Sequence, residues 1–427
     1  MKRSIVLGVL ALAALVSRAE AQLAMQMSNG WTFTFAGNVN VFYIYNTTKT
    51  QTAPGVFNTT SKNSGIGTGL LPAFATFEAK GKEGNTDLSV YFGFAPQVSA
   101  GNGVASFFGD QAAGAQIDMR QVYLTAGGKW GSLLAGKQLG LYQRSNIIED
   151  MTIFGLGPNI GNRGTSLGRI GYGYEYTDFR PQITYTSVGG KPASFSIGIF
   201  SPLSYGPYST LELPRVEADF NWSNAAKKKS TTFYFDISGF VQNVSNGASL
   251  APPFTASNTK VTPVGVAGTI KVGFSQLTLV GSGYYTSGGC SLFMADAGVG
   301  GGSVVPCDGI GTIADANGKF NTRNSYGWYG QAVFAPKNSK WIIGGSYGGN
   351  YLKENDEDKA NVGNLTFSRR NAIIGQVTYK WTKSLRFVAE YTYFDSHFQD
   401  DFVAANPGAS GTADKSNQGA VGFMLFY

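Results

Sequence analysis

The chain has 427 residues and a formal charge of +7, and only 14% of its residues are charged, against about 25% in an ordinary globular chain. It contains 58 glycines and 14% aromatic residues, and no apolar run after residue 21 reaches the roughly 18 residues of a membrane helix. This composition excludes a helical membrane protein, and the lack of a dense basic block excludes nucleic-acid binding. A transmembrane β-barrel is the class indicated, with a secreted all-β adhesin as the alternative.

The N-terminus has the pattern of an export signal. Lys2 and Arg3 precede an apolar segment over residues 4–16, and Ala19-Glu20-Ala21 forms an A-x-A cleavage site. We therefore predict a signal peptide over 1–21 and a mature β-barrel domain over 22–427. A transmembrane anchor is the alternative for the first segment.

Segments that alternate apolar and polar residues, the period of a β-strand, recur along the rest of the chain. Short polar turns such as Glu83-Gly84-Asn85 alternate with long connections. The predicted strands are 31–45, 72–82, 86–96, 116–127, 130–138, 180–187, 194–202, 214–223, 230–243, 261–273, 276–286, 325–335, 339–352, 369–381, 384–397 and 416–427. Sixteen antiparallel strands would bring both termini and all short turns to the periplasmic end. Residues 169–177 also alternate, and one more hairpin there would give eighteen strands.

The last predicted strand ends on an aromatic residue, which is typical of outer-membrane barrels. Phe423, Leu425 and Tyr427 share one face of this strand, and Gly422 and Met424 lie on the other. We expect the first face to meet lipid, with the terminal tyrosine at the membrane interface as an assembly signal. The chain is therefore predicted to lie in the bacterial outer membrane.

Charged residues occupy one face of several predicted strands. In 214–223, Arg215, Glu217 and Asp219 alternate with apolar neighbours. A charge that faces lipid at mid-bilayer costs about 2–4 kcal/mol, so the charged face is predicted to line the lumen. A soluble sandwich would bury its apolar faces instead, and alternation alone does not separate the two. The export signal, the terminal aromatic residue and the regular strand pattern favour the barrel.

Two connections carry residues with possible special chemistry. Cys290 and Cys307 lie in one glycine-rich connection, 287–324, and in an exported protein this favours a disulfide. A metal pair is the alternative, but His397 is the only histidine and lies far away in the sequence. The acidic run over 354–358 does not have the spacing of an EF-hand loop. We predict neither a metal nor a cofactor.

Residues 118–138 resemble the strand hairpin of the general porins of Gram-negative bacteria. Arg120 opens a strand after Asp118, a glycine-containing turn follows at 127–129, and the next strand ends in Gly136-Lys137. In that family the constriction loop comes directly afterwards, and it corresponds here to residues 139–179. This loop is long for the family, and the cysteine-containing connection has no counterpart in the pattern.

The resemblance implies a homotrimeric, water-filled channel that is surrounded by outer-membrane lipid and lipopolysaccharide and narrowed by an inward-folded third loop. It implies that Glu149 and Asp150 on this loop face basic residues of the wall. The wall candidates are Arg120, Lys80, Arg215, Arg370, Lys380 and Arg386, with Lys271 as a further candidate. The alternative for each is a salt bridge within the lumen, such as Lys80 with Glu78 or Arg386 with Glu390.

The predicted function is passive diffusion of small hydrophilic solutes and ions. A channel specific for a sugar or an anion is one rival, and a plugged barrel that acts as a surface adhesin or receptor is another. The inward aromatic residues are scattered, and the wall charges nearly balance, so the sequence leaves selectivity open. An enzyme would need a nucleophile paired with a base such as His397, and the sequence indicates none, so we predict no enzymatic activity.

Overall fold

The computed structural model describes residues 23–28, 30–51, 59–96, 98, 117–159, 166–189, 192–203, 210–224, 231–245, 260–289, 321–362 and 365–427. Within these residues we number the strands in chain order: β1 Leu23–Gln26, β2 Thr32–Thr50, β3 Thr59–Gly67, β4 Phe74–Glu83, β5 Thr86–Pro96, β6 Ile117–Gly128, β7 Gly131–Leu139, β8 Phe179–Thr186, β9 Ala193–Phe200, β10 Arg215–Ser223, β11 Thr231–Val241, β12 Val244–Ser245, β13 Lys260–Val261, β14 Val264–Phe274, β15 Leu277–Ser287, β16 Asn324–Phe334, β17 Trp341–Lys353, β18 Phe367–Lys380, β19 Leu385–Phe398 and β20 Thr412–Phe426.

Helices occur only as short pieces in the connections of the described chain. They are α1 Arg144–Ile148, α2 Asp356–Ala360, α3 Asp400–Ala405 and one 3₁₀ helix, Met151–Phe154. In the part of the chain that the structure describes, no helix is long and apolar enough to cross a membrane.

All strands except β12 and β13 belong to one antiparallel sheet that closes on itself. β20 closes it by pairing with residues 38–50 of β2. β3 and β4 pair with successive parts of β2 and so form one barrel strand, interrupted at 68–73. β1 pairs with the start of β2, next to the end of β20. The result is a barrel of sixteen strands with two extra segments, which confirms the predicted all-β fold and strand number.

The structure differs from the sequence prediction in two segments. Residues 59–67 were expected in a connection, and this is wrong, because they form β3 against the polar end of β2. Their sequence, TTSKNSGIG, has little apolar alternation, so the hydrophobic pattern could not reveal the strand. Residues 169–177 lie between β7 and β8, with one isolated bridge between Ile170 and Tyr174, and add no barrel strand.

The strands alternate in exposure as a barrel wall requires. On β20, Val421, Phe423 and Leu425 are 45–50% exposed, whereas Gly422 and Met424 between them are buried. β10 has the same pattern, with Arg215, Glu217 and Asp219 buried and facing inward. The outer face is therefore apolar, and the charged face is the inner one.

Candidate pore and its internal loop

Residues 140–159 and 166–178 are the described parts of the connection between β7 and β8. They run along the inside of the barrel, and we call them the internal loop. Their first contact is with Glu217 on β10, whose side chain is only 1% exposed. Glu217 Oε2 accepts hydrogen bonds from the N–H groups of Leu141 (2.7 Å) and Tyr142 (2.9 Å). Its Oε1 is 2.6 Å from Arg215 Nε. The paired carboxylate thus anchors the start of the loop to the wall.

A second carboxylate, Glu390 on β19, anchors the middle of the internal loop. Its oxygens accept from the N–H groups of Leu156 (3.1 Å) and Gly157 (2.7 Å) and from Gln376 Nε2 (2.9 Å). On the next strand, Gln418 donates to the carbonyl of Gly157 (2.8 Å). The loop therefore crosses the inside of the barrel from β10 to β20.

Apolar side chains of the internal loop pack against inward-facing residues of the wall. The loop contributes Tyr142, Ile153, Leu156, Ile170 and Tyr174 to this cluster. The wall contributes Phe42, Ile44, Phe240, Ala267, Val280, Tyr284, Tyr329, Val388, Ala420, Met424 and Phe426. Three inward-facing aromatic residues of the wall, Phe240, Tyr284 and Tyr329, are therefore covered by the loop. Burial of this apolar surface stabilises the loop against the wall.

Arg169 fastens the last part of the internal loop. Its guanidinium donates to Ser346 Oγ on β17 and to the carbonyls of Tyr172 (3.1 Å) and Ala372 (3.3 Å). The side chain is fully buried, and this burial lowers the pKa of Arg169, an effect that the nearby Asp150 opposes. A buried arginine with three separate acceptors restricts the position of the segment strongly.

The two adjacent carboxylates of the internal loop have different surroundings. Both oxygens of Glu149 lie 2.7–2.8 Å from Lys271 Nζ on β14. Asp150 is 1% exposed and accepts from the Thr152 N–H (2.9 Å), the Thr152 hydroxyl (2.5 Å) and the Tyr174 hydroxyl (2.8 Å). Asp150 is thus the buried cap of the 3₁₀ helix, whereas Glu149 contacts a base of the wall.

The contact with Asp150 also changes the pKa of Tyr174. Burial, together with the Asp150 carboxylate, raises the pKa of Tyr174 well above its usual value, so its hydroxyl stays a donor to that carboxylate.

Three predicted wall bases form ion pairs with a carboxylate two residues away on the same strand. Lys80 pairs with Glu78 at 2.7 Å, Arg120 with Asp118 at 2.6 Å and Arg215 with Glu217 at 2.6 Å. Residues i and i+2 of a strand point to the same face and lie about 7 Å apart, which suits such a pair. A fourth base, Arg370, is buried with its guanidinium 5.8 Å from the ring of Tyr172.

Lys380 and Arg386 are arranged differently from the other wall bases. They are directly opposite each other on β18 and β19, on the inner face. The Arg386 guanidinium lies 4.9 Å from the ring of Phe154 on the internal loop and 5.0 Å from the ring of Phe426. The alternative partner for Arg386, Glu390, is four residues along the strand and binds the loop backbone instead.

The sequence did not identify the anchoring function of Glu217, Glu390 and Gln418. The strand pattern put the two glutamates on the inner face but gave no sign that they bind the loop. A backbone N–H is the same in every residue except proline, so the sequence of the loop contains no signal for these contacts.

The other predicted features are the cysteine pair, the signal peptide, the acidic run and His397. Cys290 and Cys307 lie outside the described residues, as does the predicted signal peptide. In the acidic run, Asp358 forms a buried pair with Arg323, with Oδ1 2.6 Å from Nη2. No group of three or more His, Cys, Asp or Glu residues in the described ranges could hold a metal ion. His397 lies 3.3 Å from Asp395, next to Arg369 on the neighbouring strand.

The chain is similar to known proteins in its three-dimensional structure. No protein-family model matches the chain, and no curated protein matches it. An anion-selective porin from Comamonas acidovorans aligns over 93% of this chain and 100% of its own, with a TM-score of 0.56 and 12% identity. OmpF of Salmonella typhi, solved with daunomycin, aligns over 95% and 100%, with a TM-score of 0.53 and 12% identity. A trimer form of Vibrio cholerae OmpT, an outer membrane protein, aligns over 93% and 99%, with a TM-score of 0.50 and 12% identity. The resemblance to general porins thus extends to the fold of the whole barrel.

Proposed function

We propose that the chain is an outer-membrane porin that lets small hydrophilic solutes and ions diffuse through a water-filled passage. The observation that carries this proposal is the charged contact between Glu149 of the internal loop and Lys271 of the wall. Their side chains are 16% and 34% exposed, so solvent reaches an ion pair inside a closed barrel. Fixed charges along a solvated lumen favour polar solutes over apolar ones, which would lose hydration without compensation.

The internal loop would act as a fixed constriction rather than as a gate. Its backbone is bound by the buried carboxylates Glu217 and Glu390, and Arg169 fastens its far end. Each charge-assisted bond contributes about 1.5–3 kcal/mol. A loop held at several such points keeps one position, so the passage should have a constant width.

The composition of the outer face supports insertion in the outer membrane. Val421, Phe423 and Leu425 are exposed on the last strand, and Tyr427 exchanges two backbone hydrogen bonds with Gly37 (2.8 and 3.0 Å), which closes the barrel. In this proposal the exposed band meets lipid and lipopolysaccharide, residues 1–21 direct export, and three copies assemble.

The terminal residues would act as the assembly signal. We expect Tyr427→Ala to reduce the amount of folded barrel in the outer membrane, with export unchanged, because the terminal ring contacts Phe35 at 5.1 Å and the interface. Western blots of outer-membrane and periplasmic fractions, with unheated and heated samples, measure both effects. A normal amount of heat-modifiable barrel would contradict the role of this residue.

The second candidate is a plugged barrel that serves as a mount for surface loops. The apolar cluster that joins the internal loop to β2, β11, β14–β16, β19 and β20 favours it, since that part of the lumen is filled. This candidate predicts a folded barrel with negligible conductance.

Single-channel recording in planar bilayers separates the two candidates. Refolded protein that resists heating in gel electrophoresis provides the sample, and heat-unfolded protein is the control. Steady conductance in groups of three steps supports a trimeric porin. A correctly folded barrel that stays silent at all voltages would refute the porin and favour the plugged barrel.

A further inference from the structure

We propose that Lys380 and Arg386 form a binding site for small anions, such as chloride, on the inner wall at the β18–β19 hairpin. The inference rests on the proposed function, because it names the class of ion that the passage takes. These two residues differ from the other bases of the wall in their surroundings.

The difference is the lack of a neighbouring carboxylate. Lys80, Arg120 and Arg215 each pair with an acidic residue two positions away on the same face. No residue two positions from Lys380 or Arg386 is acidic. Within the described chain neither of them forms a salt bridge, so the two positive charges are not neutralised in this way.

The carboxylate that is closest along the strand, Glu390, is already used. It accepts from two N–H groups of the internal loop and from Gln376, and all of these contacts are 2.7–3.1 Å. Residues four apart on a strand are also about 13 Å apart, which is long for an ion pair. Glu390 therefore stabilises the loop rather than Arg386.

The flanking strands add no negative charge at this level. Met424 on β20 is the direct neighbour of Arg386, and Lys340, directly before β17, lies next to Lys380, whose N–H donates to the Lys340 carbonyl (2.8 Å). One flanking side chain is apolar and the other is cationic. The positive potential of the pair therefore extends into the lumen without local compensation.

The local geometry fits an anion between the two cations. Like charges that are directly opposite each other on paired strands destabilise a sheet, and a bound anion removes this repulsion. The rings of Phe154 and Phe426 hold the Arg386 guanidinium at 4.9 and 5.0 Å. Its buried Nε has no hydrogen-bond partner among the described residues. A fixed guanidinium and a flexible ammonium on one face make a suitable site for a small anion.

Bromide provides a direct probe of the site. Crystals of the refolded protein soaked in sodium bromide should give an anomalous peak between Lys380 and Arg386, and the double variant K380Q/R386Q should lose it. The control variant is Lys129→Gln, which removes an exposed lysine in the β6–β7 turn, away from the β18–β19 hairpin, and should retain the peak. The single variants R386Q and K380Q serve as substitutes if the double variant does not refold.

Reversal potentials in a potassium chloride gradient give the functional measurement. A unit charge roughly 6 Å from a permeating ion in water changes its local concentration about threefold. Removing one charge abolishes an enrichment of chloride and a depletion of potassium, each about threefold. The chloride-to-potassium permeability ratio should therefore fall about tenfold for each charge removed, and Lys129→Gln should leave it unchanged.

The outcomes separate this proposal from the proposed function. A bromide peak in a barrel that never conducts supports the site and refutes the porin. Steady conductance without a peak at this hairpin overturns the site and leaves the porin intact. A peak that persists in K380Q/R386Q also overturns the site, as does a changed permeability ratio without a peak, because the charges would then act only through their distant field.

Discussion

Replacing Glu390 with alanine tests whether the internal loop is held by the wall. The carboxylate is only 5% exposed and binds the N–H groups of Leu156 and Gly157. In the variant both groups lose a charged acceptor in a place that water reaches poorly. The strand pairs on both sides of β19 involve backbone atoms and stay intact.

The size of the effect follows from the number of bonds. A hydrogen bond to a charged group contributes about 1.5–3 kcal/mol, so losing two weakens the anchoring of the loop by about 3–6 kcal/mol. Each 1.4 kcal/mol is a factor of ten, so excursions of the loop from the wall become more than about a hundredfold more frequent. Glu390→Gln keeps one acceptor oxygen and should lose about half of this free energy.

Open-channel current noise and protease sensitivity measure the consequence. We expect the noise to increase and the internal loop to become cleavable in the order wild type, Glu390→Gln, Glu390→Ala. Glu212→Gln is the control, because this carboxylate is exposed in the connection between β9 and β10. Equal noise and equal protection of the loop in all four proteins would refute the idea that Glu390 anchors it.

Three further variants test other parts of the site. Glu149→Gln removes the partner of Lys271 and should raise the chloride-to-potassium permeability ratio. Asp150→Asn should chiefly lower the yield of folded protein. Equal changes of the permeability ratio in the two variants would contradict the different functions of the two carboxylates. Gly157→Ala should displace the loop, because Gly157 has a φ of 68° and an added Cβ would lie 2.6 Å from a backbone carbon of Gly168; an unchanged conductance would contradict this. Burial and the neighbouring Asp401 carboxylate raise the pKa of Glu354 from 4.5 to about 7. The contact between Glu354 and Asp401, which joins two outer connections, is therefore strongest below pH 4.5 and is lost as the pH rises through 7. The protection factors of residues 354–362 in hydrogen exchange, which are corrected for the intrinsic effect of pH, should therefore be larger at pH 5 than at pH 8 in the wild type. Glu354→Gln should remove the difference, and equal protection factors at both pH values in the wild type would contradict the shared proton.

The strand boundaries could be predicted because turns and lipid contact leave local signals. Glu83-Gly84-Asn85 and Phe274-Ser275 mark turns whose flanking strands end within three residues of the prediction. The alternation of apolar and polar residues did not predict β3, because a strand that extends beyond the apolar outer face of the barrel needs no apolar side chains. Residues 46–50 of β2 and their partners in β3 are mostly polar, so only backbone pairing reveals them.

The candidate site was predictable where partners are close in the sequence and not where they are distant. The pairs of Lys80, Arg120 and Arg215 follow from a spacing of two residues on one strand face. Glu149 and Asp150 are adjacent and chemically alike, and only the path of the loop gives one to Lys271 and the other to Thr152. Glu390 shows the same dependence, because its contacts to residues 156 and 157 come from more than 230 positions away. Those contacts bind the Glu390 carboxylate to the loop backbone. A change that releases the loop would therefore expose this negative charge to the lumen and should also change which ions the passage admits.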